Sequence, residues 1–272
     1  MSGTPSTRRP EILEAGAAIV RSYDTPVTLR QLFYRLVAAL LLRNTRSEYS
    51  SLSSQTARAR RARTFPALLD RTRKIERYQT FDGAGHARHW LASIYRRDRT
   101  EGQEFNLYLG VEKKTLIAQL DAWFGDLGLP ILPLGGYSSE PFEKEVIVDI
   151  EADGRPAILI YAGDFDPSGE DIDRNFIHQV GRFEKVVRVA LLPEQIEEYN
   201  LPPQPGKESD SRSQAFTKRH GRLVQVELEA LDPETLRGLY REAIDAHFDL
   251  SVFEDVLAVE DEERQELLRA AS

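Results

Sequence analysis

The chain has 272 residues, 36 Lys/Arg against 44 Asp/Glu for a formal charge of −8, and no cysteine. The missing cysteine excludes disulfides, thiolate nucleophiles and Cys-ligated zinc. No apolar run nears the ~20 residues of a membrane span, and no apolar stretch follows the N-terminal arginines as in a signal peptide, so a cytoplasmic protein is expected.

The charge is unevenly spread. Residues 1–100 carry 19 basic and 8 acidic side chains (+11), whereas residues 101–272 carry 17 and 36 (−19). Such a split predicts a polyanion-binding segment joined to a different unit. In chain order, Ile12, Leu13, Ile19 and Val20 give helical spacing over residues 10–22, with Gly16 in the middle slot. Asp24-Thr25-Pro26 ends that helix. Thr28 is a candidate N-cap for a second one, in which Leu29, Leu32, Phe33, Leu36, Val37, Leu40 and Leu41 form one apolar stripe. Arg30 and Tyr34 lie one turn apart on its flank, with Gln31 and Arg35 further round. A Ser-rich stretch then leads into Thr56–Arg63, where Arg58, Arg60, Arg61 and Arg63 crowd together. Three short helices with such an arginine-rich run predict a helix-turn-helix or winged-helix DNA-binding domain over residues 1–100. Residues 79–104 read as a polar bridge.

From residue 105 strands and helices alternate. Phe105–Val111, Pro130–Leu134, Ala157–Tyr161 and Val186–Leu192 read as strands, and Lys114–Phe124, Glu140–Ile150 and Ser168–Val180 as helices. Successive βα units predict a parallel α/β domain over residues 101–272. Gly135-Gly136-Tyr137 reads as a turn, 201–221 as a long loop, Leu223–Leu228 as a last strand, and 233–247 and 251–271 as C-terminal helices.

The chemistry concentrates at two strand ends. Ile158–Tyr161 runs through Ala162-Gly163 into Asp164-Phe165-Asp166-Pro167-Ser168-Gly169, and Asn106–Val111 runs into Glu112-Lys113. Ligands in open α/β sheets gather outside the carboxyl ends of strands, and residues two apart in extended chain point the same way. If the two strands are neighbours, Glu112, Asp164 and Asp166 converge. Carboxylates about 4 Å apart repel by roughly 1–4 kcal/mol, depending on the effective dielectric. A divalent cation removes that cost, and all-oxygen ligands select Mg²⁺ or Mn²⁺ over zinc. An EF-hand loop starting at Asp164 does not fit, because Pro167 intrudes, position twelve is Asn175 and a strand precedes it.

A strand-end Glu, a later Asp-x-Asp and a Gly-rich turn between them resemble a Toprim domain. Gly163-Asp164-Phe165-Asp166-Pro167-Ser168-Gly169, with Gly135-Gly136-Tyr137-Ser138-Ser139 upstream, resembles the A subunit of topoisomerase VI and its relative, the meiotic double-strand-break transesterase. Arg30-Gln31-Leu32-Phe33-Tyr34-Arg35 is similar to that family's nucleophile motif, and Tyr49, Arg60, Arg61 and Leu69-Asp70-Arg71-Thr72-Arg73 to its compact bacterial and phage members. The likeness spans roughly residues 26–200. It departs from the family at Gln31, where an acid is frequent, and at Ser168, where a third acid stands; Glu170, Asp171 and Asp173 follow that position.

The resemblance implies Mg²⁺ at Glu112, Asp164 and Asp166, and Tyr34 as the DNA-cleaving nucleophile with Arg30 one turn before it. It implies double-stranded DNA as substrate in a nucleoid-associated protein, and a homodimer in which the tyrosine of one subunit meets the metal of the other. Arg35, Arg58, Arg60, Arg61 and Arg63 are the expected phosphate contacts. No ATP site is legible: Gly206-Lys207 is followed by Glu208, which fails the P-loop pattern. ATP-driven strand passage would need a separate ATPase subunit. The alternatives are a metal-dependent hydrolytic nuclease, with Tyr34 structural, and a non-catalytic DNA-binding subunit of a larger complex.

Overall fold

The computed structural model describes residues 8–23, 26–69, 78–136, 138–205 and 211–269. Asp24-Thr25, Asp70–Arg73, Tyr137 and Gly206-Lys207-Glu208, singled out above, lie outside those residues.

Three helices build the N-terminal unit: α1 (Arg8–Arg21), α2 (Leu29–Ala38) and α3 (Arg46–Arg61). Thr28 caps α2. Its hydroxyl accepts the Gln31 N–H at 3.2 Å, and the Gln31 side chain accepts the Thr28 N–H at 2.9 Å. Two backbone donors at the helix start are thereby satisfied reciprocally. Leu32, Phe33, Leu36 and Val37 bury against Ile12, Ala17, Val20, Leu52 and Phe65. The stripe stops short of its expected length, because α2 ends at Ala38 and Leu40 turns into left-handed backbone (φ 58°), which swings it into solvent. The serine-rich stretch is helix rather than a lead-in. Thr45 caps α3, and Ser54 and Gln55 bond back to Ser50 and Ser51 one turn earlier. Among the described residues this unit holds no β-hairpin wing; its extended pairing is a single bridge, Thr28–Leu69.

Beyond it come α4 (Ala84–Ile94), β1 (Asn106–Val111), α5 (Ile117–Phe124), β2 (Ile131–Pro133), α6 (Glu140–Asp153), β3 (Ala157–Ala162), α7 (Pro167–Val180), β4 (Phe183–Ala190), α8 (Pro193–Glu198), β5 (Gln204–Pro205), α9 (Ser213–His220), β6 (Val224–Gln225), α10 (Pro233–Asp245) and α11 (Leu250–Arg269). The first four strands make one parallel sheet in the order β2-β1-β3-β4. Both faces are covered. Leu107, Leu109, Val111, Ile158 and Ile160 pack in one layer with residues of α5 and α10. Tyr108, Leu159 and Tyr161 pack in the other with Val146 and Ile150 of α6 and Phe176 and Val180 of α7. Burial on both sides is why β1 and β3 read as unbroken apolar runs.

Three expected segments came out differently. The supposed loop 201–221 contains α9, whose polar sequence hides a helix held by buried Phe216 against Phe165 and His220. The supposed last strand is only Val224–Gln225, antiparallel to Gln204–Pro205, followed by an isolated bridge from Val226 to Phe165. The bridge-like segment 79–104 holds α4, which packs on α11. Arg264 of α11 donates to the carbonyls of Ala92 and Tyr95, and Arg99 binds Glu260 at 2.7 Å.

Candidate active site

β1 and β3 are neighbours and end level. Val111 stands opposite Ala162, and the Glu112 N–H donates to the Ala162 carbonyl at 3.1 Å. Glu112 and Asp164 therefore meet, and Glu112 Oε2 accepts the Asp164 N–H at 2.8 Å. Two glycines make this approach possible. A Cβ on Gly135 would stand 2.1 Å from the Glu112 carbonyl oxygen, and one on Gly163 would press on Asp173 Oδ2 at 3.0 Å and on Glu112 Oε2 at 3.3 Å.

The two aspartates are spent on different partners. Asp164 Oδ1 accepts the Leu228 N–H at 2.8 Å, and its Oδ2 meets Lys113 Nζ at 2.5 Å. Asp166 caps α7, its Oδ1 accepting the Gly169 N–H at 2.6 Å. Among the described residues no three carboxylate or imidazole groups stand together as a ready ligand set. The donor chemistry nevertheless fits a hard divalent cation: the groups are all oxygen, they flank one sheet end, and the lysine that faces Asp164 is shared with Glu227. Burial pushes the Asp164 carboxyl well above its ordinary range. Glu112 and Glu227 push it further, against the opposing pull of Lys113 and the Leu228 N–H. Burial also works against the charge on Lys113, but Asp164 and Glu227 overcome it and hold the ammonium protonated.

Behind the carboxylates, Arg188 fixes the backbone. It donates to the carbonyls of Gly163 at 3.2 Å, Asp164 at 2.7 Å and Leu191 at 3.2 Å, and binds buried Asp173 at 3.0 Å. Burial raises Asp173 to about 7 despite Arg188, with Glu112, Glu170 and Asp166 adding to the rise.

The polar flank of α2 lies on this sheet end. Tyr34 Oη donates to Glu227 Oε1 at 3.5 Å, and Glu227 Oε2 meets Lys113 Nζ at 2.7 Å. Arg30 Nε lies 3.5 Å from Glu229 Oε2, with its guanidinium 5.6 Å from the centre of the Tyr34 ring. Gln31 donates to Gln119 at 3.4 Å, and Arg35 binds Asp232 at 2.8 Å. Burial raises the Tyr34 phenol, Glu227 raises it further, and Arg30 and Lys113 pull it back. Beside Tyr34 opens a cleft of about 380 Å³ lined by Arg30, Phe33, Tyr34, Asn44, Thr45, Arg46 and Tyr49.

The structure thus brings Tyr34, Arg30, Glu112 and Asp164 to one end of the sheet, with Asp166 at the adjoining helix start. Arg35 is committed to Asp232 and the Ala230 carbonyl, so it ties α2 to the second unit. Arg58, Arg60 and Arg61 sit at the C-terminal end of α3 and Arg63 just beyond it. None of the four forms an ion pair with another described residue, although Arg60 donates to the Thr56 carbonyl. At 1.5 Å per residue, Arg58, Arg60 and Arg61 lie about 14–18 Å along the helix from Tyr49 in the cleft. Sequence reasoning missed Lys113, Glu227, Glu229 and Arg46. Lys113 follows a strand-end Glu, and Glu227 alternates with apolar Val226 and Leu228, which are the signals that were there to use. No protein-family model matches the chain, and no curated protein matches it.

Proposed function

We propose that the protein cleaves DNA by transesterification, Tyr34 attacking a phosphodiester with a divalent cation bound at Glu112, Asp164 and Asp166. One observation carries the reading. A single chain of contacts, Tyr34–Glu227–Lys113–Asp164, at 3.5, 2.7 and 2.5 Å, joins the only nucleophile-type side chain on this face of α2 to the strand-end carboxylates. A tyrosine that merely packs has no need of that connection.

A phenol is a poor nucleophile near neutrality because its pKa is about 10, and here burial raises it further. It must be aimed and relieved of its proton as it attacks. The face of α2 holds the ring, with the Arg30 guanidinium over it and available to a phosphate oxygen entering the cleft beside Arg46. Mg²⁺ or Mn²⁺ held by Glu112, Asp164 and Asp166 would supply electrostatic stabilisation of phosphate charge. The products are a tyrosyl–DNA phosphodiester and a free 3′-hydroxyl; one phosphodiester replaces another, so resealing needs no external energy. Arg58, Arg60, Arg61 and Arg63 grip duplex backbone without reading sequence. A homodimer would present two tyrosines, one per strand, and a separate ATPase subunit would be needed for any ATP-driven strand passage.

Incubation with supercoiled DNA and Mg²⁺, followed by denaturing electrophoresis, tests the reading. The wild type should give broken strands with protein attached, and Tyr34→Phe neither. Equal cleavage by Tyr34→Phe that disappears in Asp164→Ala would mean that water, not tyrosine, attacks. The contacts run from Tyr34 to the carboxylates of its own chain, whereas the resemblance implies a site shared between subunits; mixing Tyr34→Phe with Asp164→Ala decides, because activity returns only if one subunit's tyrosine serves the other's carboxylates.

A further inference from the structure

We propose that Glu227 is a catalytic residue of this reaction, its carboxylate taking the Tyr34 proton as the phenol attacks; the inference rests on the transesterase reading and deepens it. Glu227 lies in the C-terminal quarter of the chain, where neither periodicity nor resemblance marked a functional residue.

Its position is built rather than incidental. The segment Val224–Glu229 is laid across the Asp-x-Asp turn by backbone pairing. Val226 and Phe165 exchange N–H···O bonds at 2.9 Å each, and the Leu228 N–H reaches Asp164 Oδ1 at 2.8 Å. Val226 and Leu228 are each 1% exposed and face the core. In extended chain the residue between them faces the other way, and that residue is Glu227. Its two oxygens divide their work: Oε2 is anchored by Lys113 at 2.7 Å, and Oε1 receives the Tyr34 hydroxyl at 3.5 Å. The nearby Glu229 bonds Thr115 through Oε1 at 2.8 Å, and its Oε2 faces Arg30 at 3.5 Å and takes no hydrogen bond, so it does not receive the Tyr34 hydroxyl. A hydrogen bond that is long before substrate binds and tightens on the reaction path is ordinary for a general base.

The step balances. The Tyr34 O–H bond breaks and its proton passes to Glu227. The Oη–P bond forms, the P–O3′ bond breaks, and the departing 3′ oxygen takes a proton from water. Nothing is oxidised or reduced.

The test is single-turnover adduct formation by the full-length protein with Mg²⁺ and saturating duplex DNA. Glu227→Gln should slow adduct formation 10²–10⁴-fold, the usual range for a lost general base, while DNA affinity stays within about twofold. Glu227→Asp, which keeps the base but shortens its reach, should fall between. Replacing Tyr34 with 3,5-difluorotyrosine, a more acidic phenol, should speed Glu227→Gln at least tenfold and the wild type much less, because a nucleophile that ionises readily needs the base less. A merely structural Glu227 would not show that selective rescue. Wild-type-like rates in Glu227→Gln, or no selective rescue, would overturn the role of Glu227 and leave the tyrosine chemistry standing. No Tyr34 adduct in the wild type would overturn both. Thermal melting checks that Glu227→Gln is folded; if it is not, Glu227→Asp with and without difluorotyrosine decides by the same criterion.

Discussion

Two buried carboxylates, in two regions of the molecule, live under opposite conditions. Glu260, on α11, is 1% exposed and held by two arginines: Arg99 at 2.7 and 3.1 Å, and Arg264 at 2.6 Å, with the Arg97 N–H adding a fourth donor at 3.0 Å. Its hydrogen bonds to Arg99 lower its pKa to about 2 against the cost of burial. Asp164, at the sheet end, is 4% exposed, faces one lysine shared with Glu227, has Glu112 and Glu227 beside it, and is pushed upward. Both are shielded from solvent, Asp164 in the deeper setting, and their compensation differs. Glu260 is satisfied from within the chain and its business is to clamp α11 to the segment after α4. Asp164 carries negative charge that the chain leaves undercompensated, the usual condition of a functional carboxylate.

Removing each side chain is the strongest way to break that comparison. Glu260→Ala leaves the partly exposed Arg99 and Arg264 without their carboxylate, and is expected to cost about 3 kcal/mol in a denaturant titration. Asp164→Asn should cost less, about 1 kcal/mol: the amide oxygen keeps the Leu228 N–H and Glu227 keeps Lys113 paired, although the amide NH2 now faces the ammonium. A large loss in Asp164→Asn, or a small one in Glu260→Ala, would erase the distinction.

Acid sharpens it. Glu260 is depressed in the folded protein, so the unfolded chain binds more protons between its ordinary value and about 2. The contribution is complete above that window and is lost as pH falls through it. Allowing for solvent screening at the exposed rim of the network, the wild type should lose about 2 kcal/mol more than Glu260→Gln between pH 5 and pH 2. Parallel pH curves for the two proteins would show that Arg99 and Arg264 do not stabilise the charged form.

Magnesium probes the other carboxylate. A ligand that binds only the folded protein, at ten times its dissociation constant, stabilises it by about 1.4 kcal/mol. The wild type and Glu260→Gln should both melt higher with Mg²⁺, and Asp164→Asn should not. An equal Mg²⁺ response in Asp164→Asn would remove Asp164 from the metal site.

How much of this was legible in the sequence follows from which residues act locally. Thr28 and Gln31 cap α2 through neighbours three residues apart, and the apolar runs of β1 and β3 report their own burial, so both could be read. Glu112 and Asp164 were placed at strand ends, but their meeting depended on β1 and β3 being adjacent, which pairing decides and spacing does not. Lys113 was visible only as the residue after a glutamate. Glu227 is brought to Tyr34 from 193 positions away, and α9 exists because Phe216 finds Phe165, not because its own polar sequence favours a helix. The clamp of Arg97, Arg99 and Arg264 on Glu260 and Glu263 is long-range in the same way. Each of its members alone reads as a solvated charge.

The arginines extend the comparison to the basic half of the chain, with the smallest expected effects. Arg35 resembles Glu260 in being committed, bonded to Asp232 and the Ala230 carbonyl. Arg58, Arg61 and Arg63 are exposed and have no ion-pair partner among the described residues. A lysine or arginine that touches DNA phosphate contributes about one unit to the slope of log affinity against log salt, and its loss weakens binding to all sequences alike. Arg61→Ala should therefore lower that slope by about one while leaving melting unchanged. Arg35→Ala should leave the slope unchanged and cost about 1 kcal/mol of stability, the worth of a partly exposed pair with its hydrogen bonds. If instead Arg35→Ala lowers the slope and Arg61→Ala does not, the DNA track runs over the α2 face beside Tyr34, and the arginine-rich end of α3 is solvated surface.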